Sequence, residues 1–488
     1  MPPLPQEIWE HTPVEAQEYI RVLEARVAGL EAIVQHLQAT IQQLTERLQQ
    51  TSRTSSRPPS SDPPHALGKR PQRGPTGRRP GGQPGHEGQA RVLVPVEEVD
   101  VVVPVKPERC HRCQHLLWGE DPQPQRHQVT EIPPVHPVVT EYQVHRLVCP
   151  ACGEATRAAV PAGVPTGGFG PRLQAITALC TGAYHLSKRT TQTLLEDLFG
   201  VSMGLGTVAN LEQGMVQALV EPVAEARAYV QAQPAAYVDE TGWREGRQRA
   251  WLWTAVTACV TVFVIRVSRG GKVARELLGE GFWGWLVTDR WSAYTWYPTW
   301  RRQVCWAHLL RDIEAMIERG GRSREIGAAV QAQARQMFHW WHRVRDDTLA
   351  HRTFARSMWP VRQEVERLLE AGQTCGVPKT EGTCRELFKL RRALWTFVRH
   401  EGVEPTNNAA ERAIRPGVLW RKGSFGTQSA EGSRFVETMM TVVATLKQQH
   451  RHVLDYVTAA CEAALWVEPA PSLLPLPADI EQGMRHAA

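Results

Sequence analysis

At 488 residues, with 42% hydrophobic and 22% charged residues, the chain is long enough for several domains with real cores. No run approaches the roughly 20 apolar residues of a membrane span, and the acidic, proline-containing start is no secretory signal. A cytoplasmic protein with no membrane partner is expected, and its net charge of +6 is modest but unevenly placed.

Residues 14–50 carry a heptad pattern, with Ile20, Val27, Val34, Ile41 and Leu48 at position a and Leu23, Leu30, Leu37 and Leu44 at position d. β-Branched side chains at a with leucine at d favour a parallel two-stranded coil, so a dimerisation helix is expected. The competing reading is a single amphipathic helix docked on its own chain. Residues 51–91 form a Ser/Pro/Gly/Arg stretch, with Arg53, Arg57, Lys69, Arg70, Arg73, Arg78, Arg79 and Arg91 against Asp62 and Glu87. That surplus equals the net charge of the whole chain. So few apolar residues predict a disordered linker, suited to phosphate contact or to service as a solubilising spacer.

In residues 92–165, two Cys-x-x-Cys pairs, Cys110/Cys113 and Cys149/Cys152, flank sequence expected to form strands over 128–132 and 138–148. In a reducing compartment such pairs read as metal ligands before disulfides. Four thiolates suit a structural Zn2+ in a zinc ribbon. Residues 170–232 then read as helices over 171–184, 187–198 and 205–219. Two short helices joined by the turn at Phe199-Gly200-Val201-Ser202 resemble a helix-turn-helix, in which Lys188 and Arg189 would reach DNA phosphate. A plain packing unit is the alternative.

Residues 233–466 read as an α/β domain interrupted by a helical insertion at about 322–399, and 467–488 as a tail. The run Ala236-Tyr237-Val238-Asp239 is expected to deliver a carboxylate at the edge of a sheet, with the strand breaking at Gly242. Alternation along a strand keeps Glu240 off the face of Asp239. Strands are also expected over 249–260, 261–268, 283–288 and 303–307, with Asp289 following the fourth of these five. A helix from Asn407 or Asn408, capped by an asparagine side chain, carries Glu411, Arg412 and Arg415 at helical spacing. Three acids on separate elements suit a pair of hard divalent ions. Arg415, Arg421 and Lys422 would clamp a DNA backbone, and His308, at a helix start, either packs there or approaches the acids.

Together these motifs resemble the large transposases of the insertion sequence 66 family. The resemblance is carried by Val238-Asp239-Glu240-Thr241, Thr288-Asp289, Cys305-Trp306-Ala307-His308, Asn407-Asn408-Ala409-Ala410-Glu411-Arg412, the Gly81-Gly82-Gln83-Pro84-Gly85-His86 run and both cysteine pairs. It implies a multidomain α/β protein with a ribonuclease-H-like core, preceded by the coiled coil, the zinc ribbon and the helix-turn-helix-like region. It also implies Asp239, Asp289 and Glu411 as a DDE triad holding Mg2+ or Mn2+. The expected activity is metal-dependent strand cleavage and transfer at transposon ends, with target DNA and accessory proteins of the same element as partners and nucleoid association when bound. The alternative is a transposase-derived DNA-binding regulator without catalysis. Arg290, next to the second acid, departs from the family pattern and puts a cation beside the expected ions.

Overall fold

The computed structural model describes residues 8–9, 11–49 and 92–475. The basic segment 51–91 and the tail from 476 lie outside the described residues.

Helix α1 (Val14–Gln49) takes the predicted course. Leu23, Val27, Leu30, Val34 and Leu37 along it are all exposed, so this stretch of the apolar seam is not docked on the other described residues. In the next segment the expected strands shrink to β1 (Arg146–Val148), paired antiparallel with β2 (Ala155–Arg157). Pro133, Pro134 and Pro137 explain the loss between 128 and 140: each lacks the N–H that a ladder needs.

Helices α2 (Pro171–Gly182), α3 (Lys188–Phe199) and α4 (Leu205–Ala218) fall where the sequence placed them, followed by α5 (Val220–Gln231). Ser187 caps α3 by accepting the Thr190 N–H, and Gly200 ends it in the left-handed conformation at φ 65°, where a Cβ would be strained.

The main sheet contains β3 (Ala235–Glu245), β4 (Gln248–Val256), β5 (Thr261–Arg266), β6 (Trp285–Thr288) and β7 (Arg302–Val304), in the order β5-β4-β3-β6-β7. The first three run antiparallel, while β6 pairs parallel to β3, and β7 parallel to β6. One expectation is corrected here. Strand β3, the central strand, does not break at Gly242, which stays in register opposite Trp251. Its long hairpin partner supplies backbone bonds on one side through Glu245, which outweighs the weak strand preference of one glycine.

Both edges of the sheet are covered. On the β5 side lies α13 (Ala430–Gln448), one of three closing helices with α12 (Asn408–Ser424) and α14 (Val453–Trp466). The outward N–H groups of Thr261, Phe263 and Ile265 donate to Thr445 Oγ1, Thr441 Oγ1 and Glu437 Oε1 at 3.1, 3.0 and 2.5 Å. Two strand residues rise about 6.6 Å and four helix residues about 6.0 Å, so a helix face spaced i, i+4 can serve every second strand amide. On the other side, helix α6 (Gly271–Leu278) precedes β6, and after β7 the chain leaves through α7 (Trp306–Glu318), α8 (Gly321–Arg345), α9 (His351–Ala371), α10 (Pro378–Lys389) and the short α11 (Thr396–Arg399). From α8 onward this is the expected helical insertion, and its Trp341, Phe354, Trp395 and Phe397 share one core with Tyr237, Val287 and Val304 of the sheet. It returns to β7 through Gln303, whose Oε1 accepts the Phe397 N–H and whose Nε2 donates to the Leu394 carbonyl. No helix among the described residues is long and apolar enough to cross a membrane.

Candidate active site

The parallel pairing of β3 with β6 covers only Ala235–Tyr237 against Trp285–Val287. Asp239, in mid-β3 just past that pairing, and Asp289, just after β6, therefore lie where the two parallel strands part, the kind of place where an α/β sheet opens a crevice. Asp239 Oδ1 accepts the Glu240 N–H at 2.9 Å, and Asp289 Oδ1 accepts the Trp291 N–H at 2.8 Å. One oxygen of each carboxylate is thus fixed by backbone.

Glu411 is held near because residues 404–407 are stitched to Tyr237 and Val238 of β3 and to the start of α7. The Glu404 N–H donates to Tyr237 Oη at 3.0 Å, the Trp306 N–H to the Pro405 carbonyl at 2.9 Å, and Asn407 Nδ2 to the Val238 carbonyl at 2.8 Å. The expected cap is corrected by this last bond: Asn407 stands at the N-cap position of α12 without a side-chain capping bond. Its buried amide ties the helix start to the residue before Asp239, and its Oδ1 has no partner.

Burial raises the Asp239 carboxyl well above its ordinary range, helped by the charges of Glu240, Asp289 and Glu411. Asp289 and Glu411 are thus near enough for their charges to bear on Asp239. Glu240 adds its charge as well, although it lies, as the alternation predicts, on the face of Val238 and Tyr294 and not on that of Tyr237. Burial and Asp289 push its carboxyl up to about 7. Tyr294 Oη donates to its Oε2 at 2.6 Å and Arg269 Nε to its Oε1 at 2.9 Å. Arg269 also lies over the Trp291 and Trp251 rings at 3.9 and 4.7 Å.

Arg302 was not singled out by sequence, yet its side chain is fully buried beneath the site. It donates to Thr288 Oγ1 and to the Asp289 carbonyl, both at 3.2 Å. Burial lowers its pKa to about 10 against the opposing pull of Asp289. No periodicity or motif marks an arginine that opens a three-residue strand. Arg290 does not face the acids as a free cation: its Nη2 pairs with Asp312 on α7 at 2.7 Å.

His308 does approach. Its Nδ1 lies 3.5 Å from Glu411 Oε1, and both atoms are buried without a hydrogen-bond partner. Cys305, His308 and Glu411 have ligand atoms within 4.8 Å of one another, the one such group among the described residues. Burial pushes the Cys305 thiol up to about 11, opposed by backbone N–H groups of Asn407, His308 and Ala307.

Residues 166–434, more than half of the chain, match the family model described as Transposase IS66 family. The chain belongs to the IS66 transposase family. Its N-terminal residues 1–92 match a family of unknown function, DUF6444. This IS66-family chain is also similar to an uncharacterized protein, y4qI, of Sinorhizobium fredii, at 28% identity over 240 residues. That match covers 43% of this chain and 43% of the relative, so the chain spans less than half of that protein's length.

The basic residues expected at DNA divide into two groups. Arg189, Arg415 and Lys422 are exposed. Lys188 Nζ instead pairs with Glu212 at 2.5 Å, and Arg421 Nη1 donates to the Gly242 carbonyl and to Thr241 Oγ1. Lys188 and Arg421 thus hold α4 and β3 respectively, and neither stands free as a phosphate clamp. The two cysteine pairs are separate turns of one design. In each, the first cysteine N–H donates to the carbonyl five residues on (Cys110 to His115, Cys149 to Glu154), and its carbonyl accepts the N–H four residues on. That fourth residue has positive φ in both, Gln114 at 62° and Gly153 at 75°. The four sulfurs are not gathered into one ligand sphere among the described residues.

Proposed function

We propose that this IS66-family chain is a DDE transposase with a ribonuclease-H-like core, which cleaves DNA at transposon ends and joins them to target DNA. The observation that carries the reading is the placement of Asp239 and Asp289 on neighbouring parallel strands, with Glu411 brought to them by the Asn407 tether. The antiparallel-then-parallel sheet, broken by a helical insertion before the third acid, supports the same reading.

The residues fit hard divalent ions. The charges of Asp289 and Glu411 add to the cost of ionising the buried Asp239, which a dication would relieve, and oxygen donors are what Mg2+ or Mn2+ prefers. Asp239, Asp289 and Glu411 would hold the ions; when bound, these activate the attacking oxygen and stabilise the leaving oxygen at phosphorus. The chain does the positioning. The Glu240 and Trp291 amides orient the two aspartates, Arg302 braces the Thr288–Asp289 turn, and Arg269 with Tyr294 holds Glu240 as a separate buried acid. In strand transfer, a 3′-hydroxyl oxygen bonds to the target phosphorus as that phosphorus loses its own 3′ oxygen.

Exposed Arg189, Arg415 and Lys422 are proposed to contact the DNA backbone. The cysteine turns are proposed as a zinc ribbon, closing Cys110, Cys113, Cys149 and Cys152 over one Zn2+. The α1 seam is proposed to pair two copies so that two ends are held together. Accessory proteins of the same element and a cytoplasmic, nucleoid-associated location belong to the same proposal.

Strand transfer with pre-cleaved end DNA and Mg2+ tests the catalytic reading. Asp239→Asn, Asp289→Asn and Glu411→Gln should each lower joining at least about a hundredfold, as expected when a transition-state electrostatic group is removed, while end binding persists. Wild-type protein that binds ends yet never joins them, with Mn2+ and accessory proteins supplied, would instead be a DNA-binding regulator.

A further inference from the structure

We propose that Cys305, His308 and Glu411 form a second cation site, for a borderline-soft divalent ion of the Zn2+ class, and that its occupancy withdraws Glu411 from the hard-ion set. Binding itself does not depend on the DDE reading; the competition for Glu411 does.

The donor set is one sulfur, one imidazole nitrogen and one carboxylate oxygen, a mixture that Zn2+ accepts and Mg2+ does not. The His308 Nδ1 to Glu411 Oε1 separation of 3.5 Å is close to the ~3.3 Å edge of a tetrahedron with ~2.0 Å bonds. Those same two atoms are the buried ones left without hydrogen-bond partners, and a buried polar atom without a partner is costly. A cation between them satisfies both at once.

The turn around Cys305 repeats the local pattern of the cysteine turns. Cys110 is approached by the N–H groups of Cys113 and Arg112, and Cys149 by those of Cys152 and Ala151. Cys305 is approached by those of His308 and Ala307, with the Asn407 N–H added at 3.1 Å. In all three turns the amides two and three residues on face the sulfur, and the third residue carries the second donor atom. Charge supports the assignment too. A thiolate and a carboxylate neutralise a dication, which suits a place where Cys305 is fully buried. As the sulfur–metal bond forms, the thiol proton leaves to solvent.

The test is Co2+ binding to the full chain followed by absorption, comparing wild type with Cys305→Ser, His308→Ala and Asp289→Asn. Wild type should bind one equivalent more than Cys305→Ser, with additional thiolate-to-cobalt charge transfer over that of the paired cysteines. His308→Ala should weaken this equivalent about tenfold or more, the scale expected for losing one donor, and Asp289→Asn should keep it. Equal stoichiometry and spectra for wild type and Cys305→Ser overturn the proposal. If Cys305→Ser does not fold, His308→Ala decides alone, and unchanged affinity there overturns it. Zn2+ added to the joining reaction should inhibit wild type at concentrations that match this affinity. A cobalt signal without any Mg2+-dependent joining would leave the site standing and sink the DDE reading instead.

Discussion

Environment decides what each carboxylate at the sheet end is for. Asp239 and Glu240 are neighbours in sequence, but Glu240 is clasped by a phenol and a guanidinium while Asp239 keeps one oxygen on backbone. Tyr294→Phe should leave Glu240 buried with one donor fewer, at a cost of about 1–3 kcal/mol, read as a lower urea midpoint with an unchanged slope. A second residue-level expectation concerns His400, whose ring stacks on Trp285 at 3.8 Å. Burial, then the charges of Arg399, Arg301 and His351, hold its pKa below the ordinary 6.5. A folded-state pKa lowered in this way gives stability that is present above 6.5 and lost as pH falls through the lowered value. Melting temperature should therefore fall between pH 7 and 5 by less in His400→Phe than in wild type. Equal slopes for the two proteins would exclude this account of the stack.

Among the elements, the β5 edge and the α12 start show how side chains substitute for missing backbone partners. An uncovered edge strand invites pairing with another chain, and here Thr441 and Thr445 on α13 occupy its amides. Thr441→Val keeps the shape but strands the Phe263 N–H, so chemical denaturation should show a loss of about 1–3 kcal/mol. Thr441→Ser, which keeps the hydroxyl, should recover most of it. If valine and serine behave alike, packing rather than the hydrogen bond holds the helix there. The helices from 171 to 219 and the final two were legible in sequence because caps, glycines and apolar spacing agree there. The strands expected between 128 and 145 were not, since β-branched residues describe a surface that fits a sheet without saying whether a partner strand exists.

For the whole molecule, the open matter is how many chains act together. The seam of α1 exposes Leu30 and Leu37, undocked on the other described residues, and a β-branched a, leucine d pattern favours two strands. Leu30→Arg should convert a dimer to a monomer in sedimentation velocity, and should lower joining of paired ends more than binding of a single end. A wild-type chain that sediments as a monomer at micromolar concentration would remove the dimer from the proposal. The insertion bears on the same scale. It packs Trp341 and Phe397 into one core with Tyr237, Val287 and Val304 of the sheet and is tied to β7 at Gln303, so Asp289 and Glu411, 122 positions apart in the sequence, both bear on Asp239.

The sequence by itself determined the order of the helices and of the main-sheet strands, and it marked the three candidate acids and the two cysteine pairs. Those are local properties: periodicity, caps and residue chemistry act over a few neighbours. Only the tertiary structure decided that β3 is central, that Asn407 ties α12 to Val238 instead of capping it, and that Arg290 is spent on Asp312. It likewise put Arg302 beneath the second acid and brought Cys305 and His308 against Glu411. Each of these depends on which distant backbone or side chain lies within about 3 Å, a distance at which hydrogen bonds and ion pairs form. No local pattern in the chain encodes that distance, because it is set by how the sheet, the insertion and the closing helices pack against one another.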